Sequence, residues 1–281
     1  MPIIETQRQD IRSLKGVHLF HFATSNCSQR VRFVLEEKGV SWVSHHVDLI
    51  KCENATPEFV ALNPKAVVPV LIHDGMTIVE SNDIIRYVDE HFDGPLLGPK
   101  SEFDIKYLEE SLKRSSEFQA PLKLLTHEFL FKPFRRMSER QLEAYSQGTH
   151  NSDLSNFMRE FSSKGGFSRE RIVTAVKEAE DILKDLENRL ETHHWLTSSE
   201  FGLTDISWAV NLHRLSHMHY PLLSFPLVSG WLDRMRARPA FKRAVSRFES
   251  KKMVAVFNIY SMLRGIRRSS VRNFIPERGV L

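Results

Sequence analysis

Residues 17–22, VHLFHF, form an apolar run of the length expected for a buried strand. The pattern breaks at T-S-N-C-S and resumes over 27–39 with a different period. There Val31, Val34, Leu35 and Lys38 fall on one helical face, and Gly39 supplies the stop. SWVSHHVDLI predicts a second strand, and TPEFVALNP a short helical turn ended by Pro64. VPVLIH and MTIVE flank Asp74-Gly75, a pair that accepts positive φ, so the two runs predict a hairpin. Ser81 opens a helix through IIRYVDEHF and is the candidate N-cap. The order over residues 17–92 is βαβαββα, an α+β domain.

The next segment, DGPLLGPK at 93–100, is rich in Gly and Pro and reads as a linker. Strand signals then stop. Long helices are predicted in EFDIKYLEESLKRSSEFQAPLKLLTHEFL and in RERIVTAVKEAEDILKDLENRLETHHWL. The second carries Ile172, Val176, Ala179, Leu183, Leu186 and Leu190 on one stripe. Further helices follow in LTDISWAVNLHRL and WLDRMRARPAFKRAVSRF. Residues 101–250 therefore read as an all-helical domain. Within it, residues 131–168 are polar and less regular, and are expected to be a partly mobile insertion. Residues 1–16 are an N-terminal extension, and 251–281 a basic tail.

At 281 residues the chain has room for two domains with a sizeable core. It is 41% hydrophobic and 26% charged, a globular composition, and no run reaches the length of a membrane span. The N-terminus lacks the apolar core of a secretory signal, and two cysteines make no disulfide framework; a cytoplasmic location is the expectation. The pI of about 9.0 is a property of the tail. Residues 251–281 hold seven Lys or Arg and one Glu, so the other 250 residues sum to −2. The body carries no nucleic-acid footprint.

A βαβ unit with a polar cluster at its first helix N-terminus suggests a thioredoxin-like domain, whose C-x-x-C pair sits there. Here the frame is Ser25-Asn26-Cys27-Ser28, with serine at both redox positions, which does not favour dithiol exchange. A serine hydroxyl there can instead donate to a thiolate lying over the helix N–H groups. A thiol that titrates near 8.5 needs about 2.7 kcal/mol of anion preference to titrate near about 6.5. A charge-assisted hydrogen bond supplies about 1.5–3 kcal/mol, and the helix end about 0.3–1 more. No metal or general base is required. The plain alternative is that Ser25, Asn26 or Ser28 only caps the helix.

SNCSQRVRFVLEEKG resembles the first-helix motif of the cytosolic glutathione transferases, in their serine-type classes and closest to the zeta pattern. Ser25 stands five residues before Arg30, the family spacing of the catalytic serine. DLIKCENATPEFVALNPKAVVPVLIHDG followed by ESNDIIRYVDEHF resembles the rest of that family's glutathione-site frame. The resemblance implies a thioredoxin-like domain joined to an all-helical one, a homodimer, and glutathione as cosubstrate. It implies that Ser25 holds the thiol, with Cys27 and Ser28 as further candidates. It also implies a cis Val68-Pro69 bond presenting the Val68 backbone to the cysteinyl part, Glu80 and Ser81 on the γ-glutamyl end, and Lys51 reaching for the glycyl carboxylate. Each has a plainer reading: a buried cysteine, a strand-start proline, a helix cap, a solvated lysine.

The implied reaction is attack of glutathione thiolate on a hydrophobic electrophile, aromatic if the 10% aromatic content reflects the acceptor pocket of the helical part. WLDRMRARPAFKRA and the insertion resemble, more weakly, bacterial glutathione-dependent enzymes that cleave β-aryl ethers. Two rival readings stay open: a Cys27-dependent lyase or thiol transferase, and a glutathione-binding carrier without turnover. SEFGLTDISWAV resembles the family's capping motif, with Gly202 at the cap position and Asp205 kept as a structural residue. His213, His217 and His219 suggest a metal reading, since positions i and i+4 share a helix face, but no Cys or carboxylate lies at compatible spacing, so no metal is expected. The tail has an apolar stripe of Met253, Val256, Phe257 and Tyr260, expected to dock on its own protein. A lid over the acceptor, an anionic membrane surface and RNA are the other readings.

Overall fold

A computed structural model describes residues 3–6, 8–99 and 101–276. Residues 1, 2 and 7 of the N-terminal extension, residue 100 of the linker and residues 277–281 of the tail lie outside the described residues. The chain divides into two compact units. The first comprises Met1–Leu97, Arg136–Ser162 and Pro239–Phe248; the second comprises Gly98–Arg135, Ser163–Arg238 and Glu249–Leu281. These units are interleaved along the chain, unlike the sequential domains read from the sequence.

The first unit opens with β1 (Ile3–Ile4), α1 (Gln9–Arg12), β2 (Val17–His21), α2 (Asn26–Lys38), β3 (Trp42–His46), α3 (Pro57–Val60), β4 (Val70–His73), β5 (Met76–Ile78) and α4 (Ser81–His91). Its sheet runs β1-β5-β4-β2-β3, with β2 and β3 parallel and the other pairs antiparallel. β2 is central and registers Leu19 against Leu71 and Phe20 against Val70. Val70 and Ile72 join Ile11, Phe59 and Leu62 in one buried cluster, so by strand alternation Leu71 faces the opposite side. α2 ends as expected: Gly39 takes φ 68° and its N–H returns to the Leu35 carbonyl. The hairpin turn also holds, with φ 48° at Asp74 and 83° at Gly75. A Cβ on Gly75 would lie 2.3 Å from the Arg12 carbonyl oxygen, so α1 can sit against this turn only over glycine.

The N-terminal residues are more than an extension. β1 pairs Ile3 with Ile78 and Ile4 with Thr77, and Ile11 of α1 is 3% exposed. A two-residue strand has no period to read, so the pattern could not reveal it.

The chain continues through α5 (Glu102–Glu117), α6 (Gln119–Thr126), α7 (Glu139–Thr149), α8 (Ser152–Ser162), α9 (Arg169–Thr192), α10 (Leu203–His217), α11 (Pro226–Ala237), α12 (Pro239–Ala244) and α13 (Lys251–Ile266). The long helix predicted after the linker is interrupted between α5 and α6, where Pro121 cannot donate to the carbonyl one turn back. α6 runs into a wider π-helical turn over His127–Phe131.

The expected irregularity of 131–168 is corrected: the segment contains α7 and α8, and its central part, Arg136–Ser162, falls in the first unit. α7 begins with a capping box, Ser138 Oγ accepting from Gln141 N and Gln141 Oε1 accepting from Ser138 N at 2.9 Å. The Asn54 side chain ties it down, donating to Tyr145 Oη at 3.2 Å and to the Ala66 carbonyl at 2.8 Å. Gly148 allows the close approach, since a Cβ there would fall 2.3 Å from the Ala55 carbonyl oxygen.

In the second unit the α9 stripe is buried throughout, Ile172 to Leu190. The start of α10 shows what replaces the missing cap at Gly202. Thr197 Oγ1 accepts from the Thr204 N–H at 3.0 Å and the Asp205 N–H at 3.4 Å. The buried Asp205 carboxylate accepts from Leu196 N, Thr197 N, Gly202 N and Trp231 Nε1 at 2.7–3.1 Å. Burial pushes this carboxyl up, and those donors oppose the shift. The tail stripe divides in α13: Phe257 is buried, Met253 and Tyr260 are half-buried, and Val256 is 40% exposed. Among the described residues no helix is long and apolar enough to cross a membrane.

Asp205→Ala strands four buried donors and should cost about 3 kcal/mol or more. Thr197→Val, which removes only the borrowed cap, should cost about 1 kcal/mol. Urea unfolding of both variants measures this; a loss below about 1 kcal/mol for Asp205→Ala would remove the carboxylate from its central place in α10.

Candidate active site

Ser25 is the N-cap of α2, with extended backbone and its Oγ accepting from Ser28 N at 3.3 Å. Ser28 is fully buried, and its own Oγ accepts from Phe22 N at 3.3 Å, so it braces the turn from beneath. Cys27 lies in the first turn of α2, half-buried and outside any disulfide, as is Cys52. Ser25 is thus the partly exposed hydroxyl of the cluster, and Ser28 the enclosed one.

The turn that presents Ser25 is held by Arg32, which is fully buried. Its Nη2 donates to the Ala23 carbonyl at 2.8 Å, its Nη1 to the Phe22 carbonyl at 3.3 Å and to His21 Nδ1 at 3.0 Å. Its Nε donates to the Ala244 carbonyl at 2.7 Å, and the Phe248 ring centroid lies 4.0 Å from Cζ. An arginine only donates, so His21 Nδ1 must accept and the proton sits on Nε2, 2.7 Å from Ser44 Oγ. Burial, then the Arg32 charge, takes His21 down to about 3 and keeps it neutral. The motif singled out Arg30 for its spacing; Arg32, two residues on, was missed. An arginine among Val31, Phe33 and Val34 was the available signal.

The second part of the site is the loop before β4. Asn63 shapes it: its Nδ2 donates to the Val67 carbonyl at 2.8 Å and its Oδ1 accepts from Lys65 N at 3.1 Å. The Val68-Pro69 peptide is cis and both residues are buried. Among the described residues, no hydrogen bond engages the backbone N–H or C=O of Val68.

The third part is the entry to α4. Glu80, not Ser81, is the N-cap, and it takes φ 65°, a left-handed conformation that a glutamate adopts only when its surroundings impose it. Ser81 is the first helical residue, and its Oγ accepts from Arg30 Nη1 at 2.9 Å. Arg30, fully buried in α2, thereby ties the helix capped by Ser25 to the helix that begins at Ser81. The Glu80 carboxylate pairs with Lys65 Nζ at 2.6 Å, a partner that sequence reasoning missed. Lys51 stands apart: it is 76% exposed, and its ammonium lies 3.7 Å from Asp48.

The histidines of α10 required a correction. The carboxylate lacking at local spacing arrives from Glu249, whose Oε2 lies 3.0 Å from His213 Nε2 and 3.2 Å from His217 Nε2. His219 is elsewhere, beside Asn258. Arg236 donates to His213 Nδ1 from Nε at 3.2 Å and Nη2 at 3.1 Å, so His213 Nε2 carries its proton and donates to Glu249. Burial takes His213 down to about 4. Burial opposes ionisation of Glu249, but the two imidazole hydrogen bonds win and hold its carboxyl well below the usual range. A metal on His213 Nε2 would need an acceptor at Nδ1, where a guanidinium stands, so this set fits a hydrogen-bonded network better than a metal centre.

Two family models match the chain: a glutathione S-transferase N-terminal domain over residues 19–96 and a glutathione S-transferase C-terminal domain over residues 142–247. Together they cover more than half of its length. The chain belongs to the glutathione transferase superfamily. It is 25% identical over 246 residues to glutathione S-transferase TCHQD of Arabidopsis thaliana, covering 83% of this chain and 90% of that one. It is 25% identical over 282 residues to the 2,5-dichlorohydroquinone reductive dechlorinase of Sphingobium indicum, covering 81% of each. The fold matches that of the β-etherase LigF from Sphingobium sp. strain SYK-6 with a TM-score of 0.74, 24% identity, and coverage of 82% and 98%. This glutathione transferase is accordingly an enzyme of the superfamily, with a thioredoxin-like and a helical part, that uses glutathione as cosubstrate.

His21 makes the turn pH-sensitive in a defined direction. Its folded pKa lies below its unfolded value of about 6.5, so its contribution is present above pH ~6.5 and is lost as pH falls toward about 3. One such proton steepens the fall of unfolding free energy by up to about 1.4 kcal/mol per pH unit. Denaturant unfolding between pH 7 and 4 should show a shallower slope for His21→Gln than for the parent; equal slopes would mean that the parent's His21 is not held neutral.

Proposed function

We propose that this transferase activates the glutathione thiolate through Ser25 and directs it at a hydrophobic, aromatic electrophile bearing a leaving group. The single observation carrying the assignment is how Ser25 uses its hydroxyl. Its oxygen already accepts from Ser28 N, and among the described residues nothing receives its proton. Capping and thiolate binding are therefore compatible: one uses a lone pair, the other the O–H. The Val68 backbone would pair with the cysteinyl amide, and Glu80 and Ser81 with the γ-glutamyl ammonium and carboxylate. Lys51 would swing to the glycyl carboxylate. A half-buried thiolate that accepts from Ser25 and faces the N-terminus of the 13-residue α2 would be ionised near neutral pH.

The acceptor class is suggested by the printed activities of the relatives. One relative is named a 2,5-dichlorohydroquinone reductive dechlorinase and one structural neighbour a β-etherase, names that belong to those proteins. Here the reading is displacement of an aryloxide or halide by glutathione sulfur. It takes the enzyme to be a cytoplasmic homodimer, in keeping with two cysteines outside any disulfide. A second reading is favoured by the position of Cys27, half-buried in the first turn beside Ser25. In that reading the Cys27 thiolate attacks the glutathionyl sulfur of a mixed disulfide, breaking its S–S bond, forming a Cys27–glutathione disulfide and releasing the substrate thiolate, and the protein is a lyase or thiol transferase.

One mutant series separates these readings. Conjugation, chloride release and aryl-ether cleavage should fall about ten- to a hundredfold in Ser25→Ala, the loss expected for one charge-assisted hydrogen bond. Cys27→Ala should stay within about twofold of the parent. Loss confined to Cys27→Ala would transfer the chemistry to the thiol. Glutathione binding by calorimetry without turnover on any of these substrates would make the protein a carrier.

A further inference from the structure

Helix α13 has a docked face and an apolar face opposite it, and only the first is used within its unit. The docked face carries Phe257, Ser261 and Arg264, all buried. Arg264 anchors it, with Nη1 on the Glu128 carbonyl at 2.8 Å and Nη2 on the Glu128 carboxylate at 3.0 Å. The opposite face of a helix in water should be polar. Here it presents Val256, Ile259, Met262, Leu263 and Ile266, which are 40%, 54%, 55%, 42% and 73% exposed. At 3.6 residues per turn these five side chains fall within an arc of about 120°, away from Phe257 and Arg264.

The charges around this stripe identify its partner. Lys251 and Lys252 lie in the first turn, and Arg267 and Arg268 just past the last; all four are exposed. Residues 250–276 include no Asp or Glu. Lysines in a first turn oppose the helix dipole, so they do not serve the stability of α13. With both ends positive, a second copy laid on this face in either direction would set like charges against each other. An apolar stripe flanked by cations and free of anions is instead complementary to an anionic lipid interface.

We propose that α13 binds the surface of an anionic phospholipid bilayer. It lies in the interface with Val256, Ile259, Leu263 and Ile266 entering the acyl boundary and Lys251, Lys252, Arg267 and Arg268 against the phosphates. It does not span: at 1.5 Å per residue the helix is about 24 Å long, and Arg264 is tied to Glu128. The proposal is independent of which acceptor the enzyme uses.

Flotation of the full chain with vesicles tests it. The parent should float with phosphatidylcholine–phosphatidylglycerol vesicles, not with phosphatidylcholine alone, and less as salt rises. The double variant Ile259→Glu, Ile266→Glu should lose flotation while its melting temperature and glutathione binding stay unchanged. Arg267→Ala with Arg268→Ala should lower partitioning roughly thirtyfold, about fivefold per charge. No flotation of the parent, or equal flotation of the Ile259→Glu, Ile266→Glu variant, would overturn the proposal. So would self-association abolished by that variant without vesicle binding, which would give the face to a second copy.

Discussion

A buried guanidinium sets the geometry of the strand-to-helix turn that carries Ser25, on which the rest of the candidate site depends. Taking Arg32 out of water costs several kcal/mol, and the cost is met only if its donors are answered. They are answered by the Phe22, Ala23 and Ala244 carbonyls and by His21 Nδ1, with the Phe248 ring stacked on its face. Lysine could not replace it, because a point charge lacks the planar fork that spans two consecutive carbonyls. Two of these partners lie more than two hundred positions later in the chain. This is one reason why Pro239–Phe248 belongs to the same compact unit as β2 and α2.

The same economy of groups governs the polar cluster. Four small residues at a helix mouth invite a choice between capping and chemistry, and the cap observed at Ser25 leaves its O–H open to the proposed chemistry. Ser28 turns inward and closes the strand-to-helix turn, while Ser25 spends only its lone pair on the helix. Arg30 then extends the constraint from α2 to the first residue of α4, whose entry is bent through the left-handed backbone of Glu80. The residues proposed for the thiol end and for the γ-glutamyl end are therefore tied together by side chains of one helix.

What could be read from the residues alone follows a physical rule. Elements with a full period were legible: β2, α2, the Asp74-Gly75 hairpin, α4 and the α9 stripe. So was the family, carried by short motifs with few alternatives and matched by both family models. What escaped lacks a local signature. β1 is two residues long, and the Lys65–Glu80 and Arg32–Ala244 contacts join positions that nothing in a linear pattern pairs. The helices of 131–168 are hard to read because α7 and α8 are short and only half apolar, and of the two the capping box at Ser138 and Gln141 marks only α7. Glu249 escaped because hydrogen-bonding partners of a histidine pair need not follow helical spacing when they come from another element.

The tail marks the limit of periodicity as a guide. A stripe of Met253, Val256, Phe257 and Tyr260 mixes residues that the fold separates, because α13 is apolar around more than half of its circumference and a pattern cannot say which arc is covered. Charge resolves what hydrophobicity leaves open. The covered arc contains a cation with a buried carboxylate partner, Arg264 with Glu128. The open arc is bounded by exposed cations with no acidic residue of their own segment beside them. Two of those, Lys251 and Lys252, sit where the helix dipole disfavours each by about 0.3–1 kcal/mol. A placement that the fold itself opposes, next to apolar side chains that the fold leaves in water, is accounted for by a partner outside the chain that is at once negative and apolar.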